Sequence, residues 1–142
     1  MVWTMKRTKF TAKLIAVVMA ALIAALSMIM AGCSPYSSHY SAIGFVHSND
    51  SHSTRMSFYK FKGSISFQMK CATDSKLIYS ASLESGDITV YYDEGNGKEE
   101  LLTVGSGDAM DGVVPLKSSG KVYVIVESEG NCENGSFRFE IG

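Results

Sequence analysis

The sequence lacks the features that mark several large classes of protein. It has one long apolar run rather than several, which excludes a polytopic membrane protein. Its 142 residues leave room for one domain. Residues 33–142 carry nine basic and 14 acidic residues, a net charge of −5. They therefore lack the basic surface that binding to nucleic acid needs.

Familiar catalytic motifs are also missing. There is no Gly-x-Ser-x-Gly nucleophile elbow, no His-Glu-x-x-His zinc motif and no Gly-x-x-x-x-Gly-Lys phosphate loop. The three histidines, at positions 39, 47 and 52, all lie in a serine-rich stretch that we expect to be mobile. Because a nucleophile needs a rigidly held base, we predict that the protein is not an enzyme, and we expect no cofactor.

The first 32 residues have the layout of a secretory signal. Four basic residues and no acidic residue lie within positions 6–13, and an uncharged apolar run follows over residues 14–30. Basic residues stay with the anionic cytoplasmic leaflet while such a run enters the bilayer. The chain beyond this segment is therefore predicted to be exported.

The signal ends in Met30-Ala31-Gly32-Cys33, which resembles the lipobox of bacterial lipoproteins. In that family Leu usually stands where this chain has Met30, a side chain of similar size. The resemblance implies removal of residues 1–32, a diacylglycerol on Cys33 and attachment to the extracytoplasmic face of the cell membrane. An uncleaved transmembrane anchor is the alternative, since residues 14–30 reach the lower length limit for a bilayer span.

Small polar residues dominate after Cys33, and such residues cannot bury enough apolar surface to offset the entropy of ordering. We therefore predict a Ser-rich tether over residues 33–53 and a folded domain over residues 54–142. Ala42 is an alternative start of the domain.

Apolar and polar residues alternate from residue 56 onward, which predicts half-buried strands. The predicted strands are residues 56–61, 65–71, 77–83, 88–92, 101–104, 113–116, 122–126 and 137–141, separated by turns rich in Gly, Asp and Ser. About eight strands and no amphipathic helix after the signal predict an all-β fold, an antiparallel β-sandwich of jelly-roll-like type.

Three of these predicted strands carry more detail. Residues 122–126 are apolar on both faces, which predicts a central strand, and residues 137–141 are predicted to be its hairpin partner. Pro115 cannot donate to a ladder, so it must lie on an edge strand, at a strand end or at a bulge.

The folded part also resembles the small β-sandwich modules of secreted bacterial proteins, of the pre-peptidase C-terminal and carbohydrate-binding-like types. The likeness rests on Phe61-Lys-Gly63, Gly86–Tyr91, Ser119–Val124 and Gly135–Phe139. These are positions that form a fold, so the resemblance implies the sandwich more directly than any function.

Three tyrosines are candidate ligand contacts. Tyr59, Tyr91 and Tyr123 could form an aromatic platform that stacks on sugar rings or on a partner's side chains. The exported part has no tryptophan, because Trp3 lies in the signal, and this counts against sugar binding. Packing of the tyrosines across neighbouring strands is the alternative.

Cys71 and Cys132 are the cysteines that remain once Cys33 is assigned to lipid. In an exported protein they are predicted to form a disulfide, with two unpaired thiols as the alternative. His47, Asp50 and His52 carry ligand types that suit zinc or copper. They are weak candidates, because a spacing of five residues places the two imidazoles on opposite faces of an extended chain.

Together these features predict a membrane-anchored extracytoplasmic lipoprotein. Its β-sandwich is expected to bind a protein partner or an envelope glycan without catalysis. The alternative is a structural, accessory or inhibitor-like subunit of an envelope complex.

Overall fold

The computed structural model describes residues 35–142, of which residues 36–142 form one compact unit. Eight strands make up this part: β1 (His39–Ile43), β2 (Val46–Asn49), β3 (Ser53–Cys71), β4 (Lys76–Ser85), β5 (Ile88–Asp93), β6 (Glu99–Val104), β7 (Ala109–Pro115) and β8 (Gly120–Ile141). No helix in this range is long and apolar enough to cross a membrane. The predicted signal and Cys33 lie outside the described residues.

The two longest strands, β3 and β8, pair with each other and run through both layers of the sandwich. In the first layer, the front sheet, the strand order is β2, residues 53–61 of β3, residues 132–141 of β8, β4 and β7. In the second layer, the back sheet, residues 63–71 of β3 pair with residues 120–128 of β8, followed by β5 and β6. All pairings are antiparallel, so the predicted all-β antiparallel sandwich of about eight strands is confirmed.

A break in the ladder between β3 and β8 marks the passage from one sheet to the other. Phe61 pairs with Cys132, but Gly63 pairs with Ser128, so β8 has extra residues at this point. Gly63 has a φ of +119°, and a Cβ built there would overlap the carbonyl oxygen of His39 in β1. Only glycine satisfies both conditions.

This corner corrects two predictions. Turns were expected between the predicted strands 56–61 and 65–71 and between 122–126 and 137–141. The chain instead passes through Lys62-Gly63 and Glu129–Asn131 without reversing. Residues 122–126 and 137–141 are consequently two parts of β8 and not a hairpin. The physical reason is that a glycine or a few extra residues can be accommodated as a bulge when the strands on both sides keep their partner.

The alternating side chains form the core as predicted. Ile65, Phe67 and Met69 are at most 4% exposed, and Phe137 and Phe139 at most 1%. Residues 122–126 form part of a central strand, since β8 pairs with β3, β4 and β5. Pro115 is the last residue of β7, and among residues 35–142 this strand pairs only with β4, so Pro115 lies at the end of an edge strand as expected.

Part of the predicted tether belongs to the sandwich. Residues 39–49 contain β1 and β2, which extend the front sheet and the corner along β3. The half-buried Ala42 and Phe45 pack against the core. About half of residues 39–49 are polar, but the ladder with β3 satisfies their backbone groups, and this offsets part of the entropy of ordering.

Candidate functional site

The tyrosines predicted to form one platform lie on two different faces. Tyr91 and Tyr123 are on the outer face of the back sheet, where Tyr91 pairs with Ile125 and Tyr123 pairs with Asp93. Tyr59 lies on β3 in the front sheet, and its side chain is 51% exposed. The three rings therefore cannot contact one ligand together.

Tyr123 already has an aromatic neighbour within the chain. The ring of Tyr36 lies 5.7 Å from it, and the Tyr36 hydroxyl donates a hydrogen bond of 2.6 Å to Oδ2 of Asp93. Ser38 accepts a hydrogen bond from the backbone N–H of Ser66 in β3. The segment of residues 36–38 is thus bound to the outer face of the back sheet.

The contact between Tyr36 and Asp93 changes the acidity of both groups. The hydrogen bond from Tyr36 lowers the pKa of Asp93, helped by the backbone N–H groups of Gly95 and Gly97 and opposed by burial. Burial, followed by the hydrogen bond and the negative charge of Asp93, raises the pKa of Tyr36 to about 12. Both shifts favour a neutral tyrosine beside a charged carboxylate, which is the pair in which the hydrogen bond is strongest.

Tyr91 is also covered from within the chain. Nζ of Lys98 lies 4.0 Å from the centre of the Tyr91 ring and 2.7 Å from Oε1 of Glu127. Ile125, although it points outward between Ser66 and Tyr91, is 2% exposed. Internal contacts therefore occupy much of the outer face of the back sheet.

The outer face of the front sheet has the opposite character. Two rungs of the ladder cross all five strands, and the ten side chains on them are all exposed. The first rung is Ser48, Arg55, Arg138, Ser80 and Asp111; the second is Val46, Ser57, Ser136, Ser82 and Ala109. We call these ten residues the serine–arginine face.

Three adjoining depressions follow this face across the sheet. Their volumes are about 370, 350 and 260 Å³, and Ser80 lines all three. The first reaches Val46 at one edge, and the second reaches Ala109 at the other. At roughly 4.8 Å between strands, five strands give the face a width of about 19 Å.

Two like charges meet at the centre of the face. Arg55 and Arg138 are directly opposite each other on β3 and β8. Arg138 has one ion pair, with Glu140 at 3.5 Å, and both of these side chains are about half exposed. Arg55 forms no ion pair within residues 35–142. Like charges in directly opposite positions destabilise a sheet, so packing alone does not account for this pair.

Sequence reasoning missed these arginines, although a signal for them was present. They are the only arginines in residues 33–142, against seven lysines. Arg55 stands between the buried Thr54 and Met56, and Arg138 stands between the buried Phe137 and Phe139, each on a strand with outward serines. The alternation predicted an outward Arg138 in the strand of residues 137–141, whereas Arg55 directly precedes the predicted strand of residues 56–61. Only the pairing of β3 with β8 places the two arginines together.

The predicted disulfide between Cys71 and Cys132 is contradicted, since both are free, buried thiols. Cys71 pairs with Gly120 at the end of β3, while Cys132 pairs with Phe61 at the corner. Ten residues of strand separate these two rungs, far more than the reach of a disulfide. Burial, together with the charge of Glu94, raises the pKa of the Cys71 thiol.

The weak metal candidates point to different places. The ring of His47 packs against that of Phe45, with centres 5.0 Å apart and planes tilted by 38°, whereas Asp50 accepts hydrogen bonds from the backbone N–H of His52 and the hydroxyl of Ser53. Among residues 35–142, no three His, Cys, Asp or Glu side chains converge on a position that could hold a metal ion. Asp50 acts here as the cap of a turn.

Comparisons with known proteins show a likeness in solved structures alone. No protein-family model matches the sequence, and no curated protein does. Aeromonas hydrophila PliG, a periplasmic inhibitor of g-type lysozyme, is 16% identical with a TM-score of 0.47, over 65% of this chain and 88% of that chain. TmCBM61, solved in complex with β-1,4-galactotriose, is 15% identical with a TM-score of 0.48, over 77% and 88% of the two chains. A family 29 carbohydrate-binding module is 10% identical with a TM-score of 0.40, over 75% and 88%.

Proposed function

We propose that the protein is a lipoprotein, held by a diacylglycerol on Cys33 at the extracytoplasmic face of the cell membrane. Its β-sandwich binds an envelope glycan or an envelope protein and carries out no chemistry itself. The lipobox-like residues 30–33 support the first part of the proposal. The serine–arginine face supports the second.

The observation that carries the binding function is the exposure of this face. All ten of its side chains are exposed, and most of them offer hydroxyl, guanidinium or carboxylate groups. A polar outer face is normal in an antiparallel sheet that packs on one side, and a ligand that lies across the strands can form hydrogen bonds with several of these side chains at once. Shallow polar surfaces of this kind take extended ligands rather than small enclosed substrates.

The membrane anchor is tested on the protein isolated from membranes of its own cells. We expect mass spectrometry to find a chain that begins at Cys33 and carries a diacylglycerol there. Cys33→Ser should abolish the modification and leave the precursor uncut. An intact N-terminus with unmodified Cys33 in the native protein would overturn the lipoprotein proposal.

The binding function is tested by substitution on the two outer faces. The full chain, purified in detergent, is applied to an array of envelope glycans and to detergent-solubilised envelope proteins. Ser80→Trp, which fills the centre of the serine–arginine face, should abolish retention of the bound species. Thr89→Trp on the outer face of the back sheet is the matched control and should leave retention unchanged. Equal loss in both variants, or no bound species, would contradict the proposal.

A second candidate, an accessory or inhibitor-like subunit, is favoured by the edge formed by β1 and β2. Each of these strands pairs only with β3, so its other side is unpaired within residues 35–142. Ile43 and Val46 beside this edge are 61% and 68% exposed. An edge with exposed apolar side chains can take a strand from a partner protein. This candidate is favoured if the Ile43→Lys variant no longer retains a stoichiometric protein partner and the Ser80→Trp variant still retains it.

A further inference from the structure

We propose that the serine–arginine face binds a glycan that carries anionic groups, carboxylate or phosphate, and that Arg55 and Arg138 together hold one such group. This inference rests on the proposed binding function and names the class of ligand for the same face. The first support is the placement of the arginines. Both arginines of residues 33–142 meet on one rung, in a domain whose net charge is −5.

The choice of arginine points to an oxyanion. A guanidinium presents a planar fork of donors that matches a carboxylate or phosphate in two parallel hydrogen bonds, whereas a lysine acts as a point charge. Seven of the nine basic residues in this part of the chain are lysines, and none of them is on the central rung. The Cβ atoms of directly opposite residues lie about 5 Å apart. The guanidinium groups of two such arginines can therefore contact one anion from both sides.

The present partners of the two arginines leave room for such an anion. Arg138 has an exposed ion pair with Glu140 at 3.5 Å, and exposed pairs of this kind contribute little. Arg55 has no ion pair among the described residues. An anion between the two guanidinium groups would offset their mutual repulsion. This relief would make the free energy of binding more favourable.

The surroundings of the arginines favour a polyhydroxylated chain. Serines occupy five of the ten positions of the face: Ser48, Ser57, Ser80, Ser82 and Ser136. A serine hydroxyl both donates and accepts hydrogen bonds, and so does each hydroxyl of a sugar. Protein interfaces instead centre on pockets that take an aromatic or other large anchor, and the depressions here are shallow and lined mainly by polar side chains.

The test measures binding of the full chain in detergent to four probes by calorimetry at low salt. The probes are a galacturonate oligomer, its neutral methyl ester, a polymer of hexose units joined by phosphate groups and a glutamate oligomer. We expect at least one of the first and third probes to bind, and the neutral ester and the peptide to bind at least about tenfold more weakly. Raising the salt concentration should weaken binding, since the contact is between exposed charges.

Variants then locate the anion. Arg55→Gln and Arg138→Gln should each raise the Kd of the anionic probe by about tenfold or more, as expected for the loss of a charged hydrogen bond. Arg55→Lys should recover part of this loss. Lys62→Gln, an exposed lysine at the corner, is the matched control with the same change in charge, and circular dichroism verifies folding of each variant.

The outcomes separate this inference from the proposed function. Equal binding of the neutral ester, or binding that is unchanged in both arginine variants, overturns the anionic ligand but leaves a glycan-binding face. Tighter binding of the glutamate oligomer than of either anionic polymer overturns the glycan in favour of an acidic protein segment. No binding of any probe overturns the inference, and the array experiment with Ser80→Trp then decides the proposed function by itself.

Discussion

The two outer faces of the sandwich differ in what covers them. On the back sheet, outward side chains such as Ile125 and Asp93 are 2% and 9% exposed, and residues 36–38 contact this face. On the front sheet, all ten residues of the serine–arginine face are exposed. Both faces belong to strands β3 and β8, so the same two strands supply a covered surface and an open one.

This difference shows that an aromatic residue on the outer side of a strand need not be free to contact a ligand. Tyr91 and Tyr123 have the residue type expected of a ligand platform, but Lys98 and Tyr36 contact their rings. The open face has serines and arginines instead. Which outward side chains the chain itself covers is therefore decided by the tertiary structure and not by residue type.

The largest effect is expected from a residue that supports both faces. Phe139 is fully buried between the sheets, so Phe139→Ala should lower the free energy of unfolding by about 3–5 kcal/mol. Denaturant unfolding measures this loss, and hydrogen exchange should show it equally in β4 and β5. The neighbouring Arg138→Gln should change stability by less than about 0.5 kcal/mol. Loss of protection in the front sheet alone would show that the two faces do not share one core.

The second effect concerns the corner that joins the faces. Gly63→Ala places a side chain where φ is +119° and where His39 blocks it, so we expect a loss of about 3 kcal/mol. Gly97→Ala is the matched control. Its φ is +106°, but no atom lies within 4 Å of the added Cβ, so only the backbone strain of about 1 kcal/mol should remain. Equal losses in a thermal or denaturant melt would mean that the close approach of β1 contributes nothing.

The third effect is confined to the covered face. Tyr36→Phe removes the donor to Asp93 and should lower stability by about 1 kcal/mol. Binding at the serine–arginine face should not change. Tyr40→Phe is the control, since Tyr40 is 41% exposed and its hydroxyl has no hydrogen-bond partner among residues 35–142. A change in ligand binding in Tyr36→Phe would show that the two faces are coupled.

The same pair predicts a pH dependence with a defined sign. Because the pKa of Asp93 is lowered, its stabilisation is fully present above the ordinary value of about 3.9 and is lost as the pH falls through the folded-state pKa. Because the pKa of Tyr36 is raised to about 12, its stabilisation is fully present below about pH 10 and is lost as the pH rises through 12. Melting temperatures across pH should therefore fall less steeply at both ends in Tyr36→Phe. Curves that are parallel to the wild type at every pH would contradict the assignment.

The smallest effect is expected from the exposed cation on the back sheet. Lys98→Met removes the ion pair with Glu127 and the contact with Tyr91, and we expect a loss below about 1 kcal/mol that decreases with added salt. Lys121→Met, which lies at the start of β8 without an ion pair among the described residues, is the control. A larger, salt-independent loss would mean that Lys98 acts mainly by packing on the ring.

Much of the fold was predictable because alternation reports which side of a strand is buried. Ile65, Phe67, Phe137 and Phe139 were predicted to face the core, and each does. Turn residues were less informative. Gly63 has the residue type of a turn, but the chain continues through it because β8 remains its partner on both sides. A glycine in the sequence is consistent with both a turn and a bulge, so the local sequence does not show whether the chain reverses there.

The candidate site was less predictable for a related reason. The tyrosine platform and the disulfide were inferred from residue types, and both depend on distances between residues remote in sequence. Cys71 and Cys132 lie on different parts of the same long ladder, and Tyr59 lies on a different sheet from Tyr91. The pairing of Arg55 with Arg138, 83 positions apart in the printed sequence, was invisible for the same reason.

The sequence alone determined most of the strand-forming segments after residue 56, their inward faces and the acidic charge of residues 33–142, since these depend on composition and on a period of two. The tertiary structure decided which outward residues share a face and which of them the chain itself covers. These depend on strand register, where a shift of one residue moves every side chain to the other face. Register is set by contacts along the whole length of β3 and β8, and no local pattern contains it.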